Sequence, residues 1–191
     1  AITVLAPFGG KPVGVNLVVQ SDVPSGCGVS SSAALELALL RALIAAQGLP
    51  EIPAGDLARA AQKIEHDFIG TQCGIMDQMI VAAGIKDNAL LIDCRDLSLK
   101  QGPLPESASV VIMDTSTRRG LVDSAYNERR EQCEAAAKFY HADILRDVSV
   151  ETTLSENRPD ELTWQRAKHV VLENDRTVQA NQKMAASEAQ A

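Results

Sequence analysis

A glycine- and serine-rich loop between two apolar segments constrains this chain more than any other feature. The loop spans Val23–Ala34 and reads VPSGCGVSSSAA. Gly26 and Gly28 lack a Cβ, so a ligand can approach their backbone closely, and either can adopt a positive φ. Serines follow where a helix is predicted to begin, and the first N–H groups of a helix have no intrahelical partner. We expect the serines to cap these groups and the helix dipole to favour an anion, as in a phosphate-binding loop.

Two common nucleotide-binding loops do not fit this sequence. No Gly-Lys-Ser/Thr follows the glycines, so the loop is not a Walker A motif, and the third glycine of the dinucleotide fingerprint is missing. A glycine turn that only caps a helix is the simpler interpretation, because such turns are common without any ligand. From the residues alone, both interpretations stay open.

Composition excludes several classes of protein. The net charge of −7 argues against a nucleic-acid-binding protein, which usually carries a basic patch. No apolar run is long enough to span a bilayer, so neither nucleic acid nor a membrane is an expected partner. The 4 cysteines are widely spaced without a Cys-x-x-Cys pair, which argues against a zinc site and suggests reduced thiols in the cytoplasm. The chain begins with Ala1 in an apolar stretch, and we expect it to be part of a longer protein.

The pattern of apolar and turn residues predicts an α+β fold. A domain boundary is expected near the two prolines between Gly102 and Glu106, giving domains at 1–105 and 106–191. A polar, basic loop is predicted at Thr115–Gly120. Strands are predicted at Val13–Val19, Ala89–Cys94 and Ser109–Asp114, and helices at Ser31–Gln47, Leu57–Ile69, Met76–Ala83, Val122–Tyr140 and Glu161–Met184.

Two of these helices have an apolar face at helical spacing. The face of the first is predicted to contain Leu35, Ala38, Leu39 and Leu43. The buried face of the second is predicted to contain Leu57, Ala61, Ile64 and Phe68, with Glu65 at its flank.

Asp77 is the first candidate for chemistry. It lies at a predicted helix start after Gly74, where an acidic residue is often only a favourable partner of the helix dipole. The functional interpretation is a base or charge anchor beside a sugar hydroxyl, since a kinase must orient the attacking alcohol and accept its proton.

Other polar residues also allow both a structural and a functional interpretation. Glu65 on a helix flank is ordinarily solvated, but with the Ser32 hydroxyl it would suit Mg²⁺, which takes few protein ligands. Tyr126 is ordinarily a half-buried ring that can also donate a hydroxyl to a polar ligand. The arginine pairs at 118–119 and 129–130 are more often solvated or in ion pairs than bound to phosphate. The histidines, at 66, 141 and 169, share no metal-ligand spacing and are interpreted as structural.

Several segments together resemble the galactokinase family of the GHMP small-molecule kinases. The loop resembles the second motif of the GHMP superfamily, and the remaining segments point to galactokinases within it. They are Ile64–Gly70, Cys73–Gln78 (CGIMDQ), Ala89–Arg95, Tyr126–Cys133 (YNERREQC) and His169–Arg176, and they occur in family order over most of the chain.

The resemblance implies a reaction and a set of roles. The reaction would be transfer of the γ-phosphoryl group of ATP to the 1-hydroxyl of galactose, with a GHMP kinase-like two-domain fold that is incomplete at both ends. Asp77 would be the catalytic residue, Asp77, Gly74 and Tyr126 would contact the sugar, and Ser32 and Glu65 would hold Mg²⁺. The ATP phosphates would be bound by Gly26, Cys27, Gly28, Val29, Ser30, Ser31 and Ser32.

The chain also departs from the family pattern. The opening Gly-Glu-His-Thr-Asp segment, an arginine thought to assist catalysis, and the glycine-rich motif near the C-terminus are not found in this sequence. We therefore expect the chain to carry the middle of the enzyme and to be inactive or weakly active alone. Two alternatives stay open: a galactose- and ATP-binding sensor related to galactokinases, and an N-acetylgalactosamine kinase. The intact Ser30–Ala34 run favours a kinase over a sensor.

Overall fold

A computed structural model describes residues 3–107, 109–114 and 122–186 of the chain. These residues fall into two compact units, drawn from Ala1–Gln101 with Ser109–Gly120 and from Gly102–Ala108 with Leu121–Ala191. The predicted basic loop Thr115–Gly120, including Arg118 and Arg119, lies outside the described residues. The domain boundary near residue 105 stays a prediction.

The first unit is built mainly from three helices and a small sheet. It begins with a 3-10 helix at Thr3–Phe8. The helices are α1 at Ser31–Ala46, α2 at Ala54–Ile64, which continues into a π-helical turn at Glu65–Ile69, and α3 at Met76–Ala83. The strands β1 at Asn88–Ile92 and β2 at Leu99–Pro103 form a two-stranded sheet. Their short connection makes the pair antiparallel, because a parallel pair needs a much longer crossover.

Aliphatic side chains form the core between these helices. Leu37 and Leu40 of α1 pack with Leu57 and Ala61 of α2, and all four are almost fully buried. A second cluster joins Met79 of α3 to α2 and β1. This packing places the start of α1, the end of α2 and the start of α3 in one rigid unit.

The second unit is helical in its described part. Its elements are α4 at Val122–Phe139, a 3-10 turn at Leu145–Asp147, α5 at Val150–Leu154 and α6 at Glu161–Ala185. Small side chains, including Ala136 and Ala167, lie in the core and allow the helices to approach closely. The Arg166 guanidinium of α6 donates a hydrogen bond of 2.8 Å to the Gln132 side chain of α4.

Most predicted helices are confirmed, since α1, α3, α4 and α6 begin at the expected residues. Asp160 caps α6 by accepting a hydrogen bond from the Thr163 amide. The strand predicted at Ala89–Cys94 is confirmed as β1, whereas β2 occupies part of the connection predicted at Gly102–Glu106.

Two predicted strands are wrong. Val13–Val19 and Ser109–Asp114 have no regular secondary structure, and their apolar side chains are exposed; Val18 is 98% and Met113 82% exposed. A β-branched run becomes a strand only when another strand pairs with it, and none in the described residues does so.

Among the described residues, no helix combines the length and apolarity needed to cross a membrane.

The predicted apolar faces are also partly wrong. In α1, Leu35 is 44% exposed, while Leu37 and Leu40 are buried. In the second helix, Phe68 is 87% exposed and Glu65 is only 7% exposed. The π-helical turn explains this second difference, because its wider turn shifts the α-helical register and rotates Phe68 outward.

Leu40→Ala tests the core assignment. Leu40 is fully buried, so the truncation should lower the free energy of unfolding by about 2–5 kcal/mol through lost burial and a residual cavity. Urea denaturation followed by circular dichroism measures the change. Leu35→Ala in the same helix is the control and should cost less than Leu40→Ala, because Leu35 is 44% exposed. Equal losses in the two variants would contradict this core.

Candidate functional site

In the glycine loop before α1, residues with a positive φ alternate with residues without one. Gly26, Gly28 and Ser30 have φ of 73°, 74° and 58°, whereas Cys27 and Val29 between them are not among the positive-φ residues. Alternation of this kind turns successive N–H groups toward one side and makes a concavity that suits an anion. The glycines adopt this conformation at no steric cost, but Ser30 does not.

The start of α1 is not capped in the way we expected. Ser30 occupies the cap position in the left-handed conformation, and its side chain forms no capping hydrogen bond. The Ala34 amide donates a hydrogen bond of 2.9 Å to the Ser30 carbonyl. The amides of Ser31 and Ser32 have no acceptor among the described residues, so they remain available to a ligand.

An open cavity lies against this loop. Its volume is about 430 Å³, which is within the range of small-molecule sites, and it is contained within the first unit. The hydroxyl-bearing side chains Ser25, Ser31 and Ser32 line it together with apolar groups from Val19, Val23, Leu35 and Ala38. Polar groups at a helix start beside an apolar wall suit a ligand with both phosphate and apolar parts.

The thiol of Cys27 in the loop contacts a residue outside the loop. The Cys27 thiol donates to the Asp114 carboxylate at 3.4 Å and to the Ser25 carbonyl at 3.6 Å. The described cysteines include no disulfide, and among the described residues no group of three or more His, Cys, Asp or Glu side chains is placed to hold a metal ion.

The segment between α2 and α3 brings a buried polar cluster together. Gly70 ends the π-helical turn with φ of 87°, and its amide bonds to the Glu65 carbonyl at 2.8 Å. The His66 ring and the Gln62 amide group both bond to the Cys73 carbonyl, at 2.9 and 3.0 Å. These bonds hold the loop at Gly70 and Cys73 against the end of α2 and the π-helical turn.

Glu65 is therefore buried rather than solvated at a helix flank, as its sequence position had suggested. Its neighbours in the interior are Glu36 of α1, Cys73 and Gln78 of α3. Glu36 is 7% exposed and Gln78 2% exposed. The Gln78 amide donates to the Cys73 thiol at 3.9 Å, and the pKa of Cys73 is raised by burial and by the Glu65 carboxyl.

Glu36 is the residue that sequence reasoning missed. Its two carboxyl oxygens are buried without a hydrogen bond of good geometry to a described residue. Burial, with the Glu65 carboxyl beside it, raises the pKa of Glu36 from 4.5 to about 8. The signal was present in the sequence, because Glu36 is the only acidic residue in the otherwise apolar run Ala33–Leu40.

The other predicted residues lie as follows. Asp77 is exposed in the first turn of α3 and forms no hydrogen bond or ion pair with a described residue. Gly74 is exposed in the loop before α3, and Ser32 lines the cavity. Tyr126 is 41% exposed on α4 in the second unit. The site roles of all these residues stay predictions.

Comparison with known proteins shows which proteins the chain is similar to. Residues 1–84 match the family model described as the GHMP kinases N terminal domain. Over 98% of its length it also matches the crystal structure of Lactococcus lactis galactokinase complexed with galactose, with a TM-score of 0.79 and 28% sequence identity. The chain covers 50% of that galactokinase, so it spans about half the length of this relative.

The comparisons confirm the predicted fold class. The galactokinase-like α+β architecture extends beyond the GHMP domain, because the structural match includes almost the whole chain whereas the family model ends at residue 84. The glycine loop, the buried glutamates and Asp77 all lie inside the matched 1–84 segment. Tyr126 lies outside it.

Glu36→Gln tests the buried acid of the first unit. A carboxyl with a pKa near 8 in the folded protein and 4.5 when unfolded binds its proton more tightly in the folded state. The contribution of this group to the free energy of unfolding should therefore be most favourable below pH 4.5 and be lost as the pH rises toward 8. The neutral glutamine should flatten this decline, which denaturation at several pH values measures. Glu51→Gln, at an exposed position, should leave the profile of the parent chain unchanged. Parallel profiles for the parent and Glu36→Gln would contradict the assignment.

Proposed function

We propose that the chain is the ATP-binding part of an ATP-dependent sugar kinase that phosphorylates the 1-hydroxyl of galactose. The observation that carries the proposal is the start of α1, where the Ser31 and Ser32 amides have no acceptor among the described residues and the same two serines line a cavity after a loop with positive φ at Gly26 and Gly28. The GHMP domain match and the likeness to a galactokinase that binds galactose support it. The sugar itself comes from that likeness, and the loop supports only the nucleotide.

The phosphates would be bound from Gly26 to Ser32. Amides at a helix start stabilise negative charge through their hydrogen bonds and through the helix dipole. No lysine or arginine lies in the segment Val23–Ala34, so within this loop backbone and hydroxyl groups would do this work. Such fixed dipoles need little reorganisation when charge moves toward ADP in the transition state.

Asp77 would orient the sugar hydroxyl and accept its proton. Its exposed carboxylate is not committed to any described residue, and α3 holds it in a defined first turn. As the oxygen of the sugar attacks the γ-phosphorus, the bond to the β-phosphate oxygen breaks, ADP leaves and the hydroxyl proton passes to Asp77. Gly74 and Tyr126 would contact the sugar.

The donor set of the chain fits a magnesium ion. Glu65 supplies a carboxylate and Ser32 a hydroxyl, and hard oxygen ligands of this kind suit Mg²⁺, which keeps several waters and phosphate oxygens in its shell. When bound, Mg²⁺ would neutralise charge on the phosphates. We propose Ser32 and Glu65 as its protein ligands.

Gly28→Val tests the phosphate loop. A β-branched residue is strained at a φ of 74°, and its side chain would occupy space that the phosphates need, so ATP affinity should fall about tenfold or more. Isothermal titration calorimetry with ATP measures this. Gly48→Val is the matched control, since Gly48 has a φ of 60° with open space around its Cβ position at the end of α1. Unchanged ATP affinity in Gly28→Val, or an equal loss in Gly48→Val, would count against the loop as the phosphate site.

Asp77→Asn tests the chemical role. In the whole protein, galactose-dependent ADP release should fall by about 10²–10⁴-fold, because the amide cannot accept the proton. ATP affinity should stay within about twofold of the parent value. The control is Asp56→Asn, which alters an exposed acid in the first turn of α2 and should leave turnover unchanged. Retained turnover in Asp77→Asn would remove Asp77 from this role.

A further inference from the structure

We propose that two exposed apolar segments of the first unit, Val13–Val19 and Val110–Met113, form a docking surface for β-strands from a part of the whole protein outside this chain. On docking, both segments would become strands of a larger sheet. The inference concerns assembly of the fold, so it does not rest on the proposed function.

The apolar side chains of both segments are exposed to an unusual extent for a folded unit. The second segment has four consecutive large apolar residues, and each of them is at least 69% exposed. The first segment has five large apolar residues within seven positions, all in the exposed class. Contiguous exposed apolar surface marks an interaction site, because its removal from water is favourable.

The backbone of both segments is also unpaired. No backbone group of residues 13–19 or 110–113 has a hydrogen bond to another described residue. Such a backbone presents the free N–H and C=O groups of a sheet edge, and these groups pair readily with an added strand. Apolar side chains and an open backbone together fit a strand better than they fit a helix face or a small ligand.

The residue patterns specify the kind of strand that each segment would form. In Val13–Val19, the residues at 13, 15, 17 and 19 are all apolar and would share one face, whereas Gly14 and Asn16 would lie on the other. The segment Val110–Met113 is apolar without interruption, as in a strand that is buried on both faces. β-branched residues predominate in both segments and favour strands.

Both segments end near the glycine loop. Val19 lines the cavity at the start of α1, and Asp114, which directly follows the second segment, accepts the hydrogen bond from the Cys27 thiol of the loop. The two segments therefore reach the same part of the first unit. Strand pairing at this surface would order the chain that enters the loop.

The length of the matched galactokinase indicates where the added strands come from. The match includes 98% of this chain but only 50% of the galactokinase, so about as much of that protein again lies outside the match. The strands β1 and β2 pair with each other and with neither segment. A second copy of this chain is a weaker candidate, because a net charge of −7 on each copy opposes self-association.

Hydrogen–deuterium exchange, measured on the whole protein and on the 191-residue chain, tests this surface. In the chain alone, the amides of both segments should exchange at the rate of an unstructured peptide. In the whole protein, their exchange should be about 100-fold slower or more, because strand pairing engages these amides. The helix α1 is the internal reference and should be protected in both samples.

Two outcomes of the exchange experiment would overturn the inference. One is exchange of both segments at the unprotected rate in the whole protein. The other is protection that appears in the chain alone and increases with its concentration, because the partner would then be a second copy. Neither measurement uses ATP or a sugar, so the result is independent of the proposed function.

Leu17→Lys tests the apolar face of the first segment. A lysine without a partner is unfavourable in a buried position, so the Tm of the whole protein should fall by about 5 °C or more. The Tm of the 191-residue chain should stay within about 2 °C of the parent value, since Leu17 is exposed there. Asn16→Lys, on the other face of the same segment, is the matched control and should change neither Tm by more than about 2 °C. A fall in the chain alone as large as that in the whole protein would contradict docking at this face.

Discussion

The packing of α1 against α2 and α3 determines where every candidate site residue of the first unit can lie. Leu37 and Leu40 on α1, Leu57 on α2 and Met79 on α3 are almost completely buried, and burial of each such side chain stabilises the fold by about 1.5–3 kcal/mol. The site residues lie at the ends of these helices or in their first turns. Their geometry is thus set by apolar burial rather than by contacts that they make with one another.

The same packing encloses a polar cluster that apolar burial alone does not explain. Glu36, Glu65 and Gln78 are buried among aliphatic side chains, and several of their oxygen atoms lack a hydrogen bond to a described residue. Unsatisfied polar atoms are uncommon in protein interiors because each costs about 1–3 kcal/mol. Proteins retain such costs mainly at functional sites, where orientation of a group matters more than stability.

Local signals account for the parts of this structure that were predictable from the sequence. The bounds of α3 follow from Gly74 before it and Gly84 after it, and those of α6 from the Asp160 cap. The face of α1 was not predictable in this way, because the helix is apolar on most of its circumference and its periodicity is weak. The segment Val13–Val19 has the composition of a strand, but pairing is a property of the tertiary structure and not of the segment.

The site was predictable only to the extent that local patterns encode it. The glycine loop and Asp77 lie in recognisable sequence motifs, and in the structure each lies where a helix begins. The exposure of Phe68 depends on the π-helical turn, for which the residues Glu65–Ile69 have no distinctive pattern. Glu36 is visible as a lone acid in an apolar run, but only the fold shows that it faces another carboxyl group.

An anionic ligand bound to the loop would explain the backbone strain at Ser30. Ser30 adopts the left-handed conformation, which costs a residue with a Cβ about 1–2 kcal/mol, and gains no capping hydrogen bond in return. A serine at a helix start would ordinarily adopt an extended conformation and cap the helix with its hydroxyl. In the conformation observed here, the amides of Ser31 and Ser32 have no acceptor among the described residues, and both residues line the cavity. Hydrogen bonds donated by these amides to a phosphate would offset the strain, which gives a physical reason for a backbone shape that capping alone does not favour.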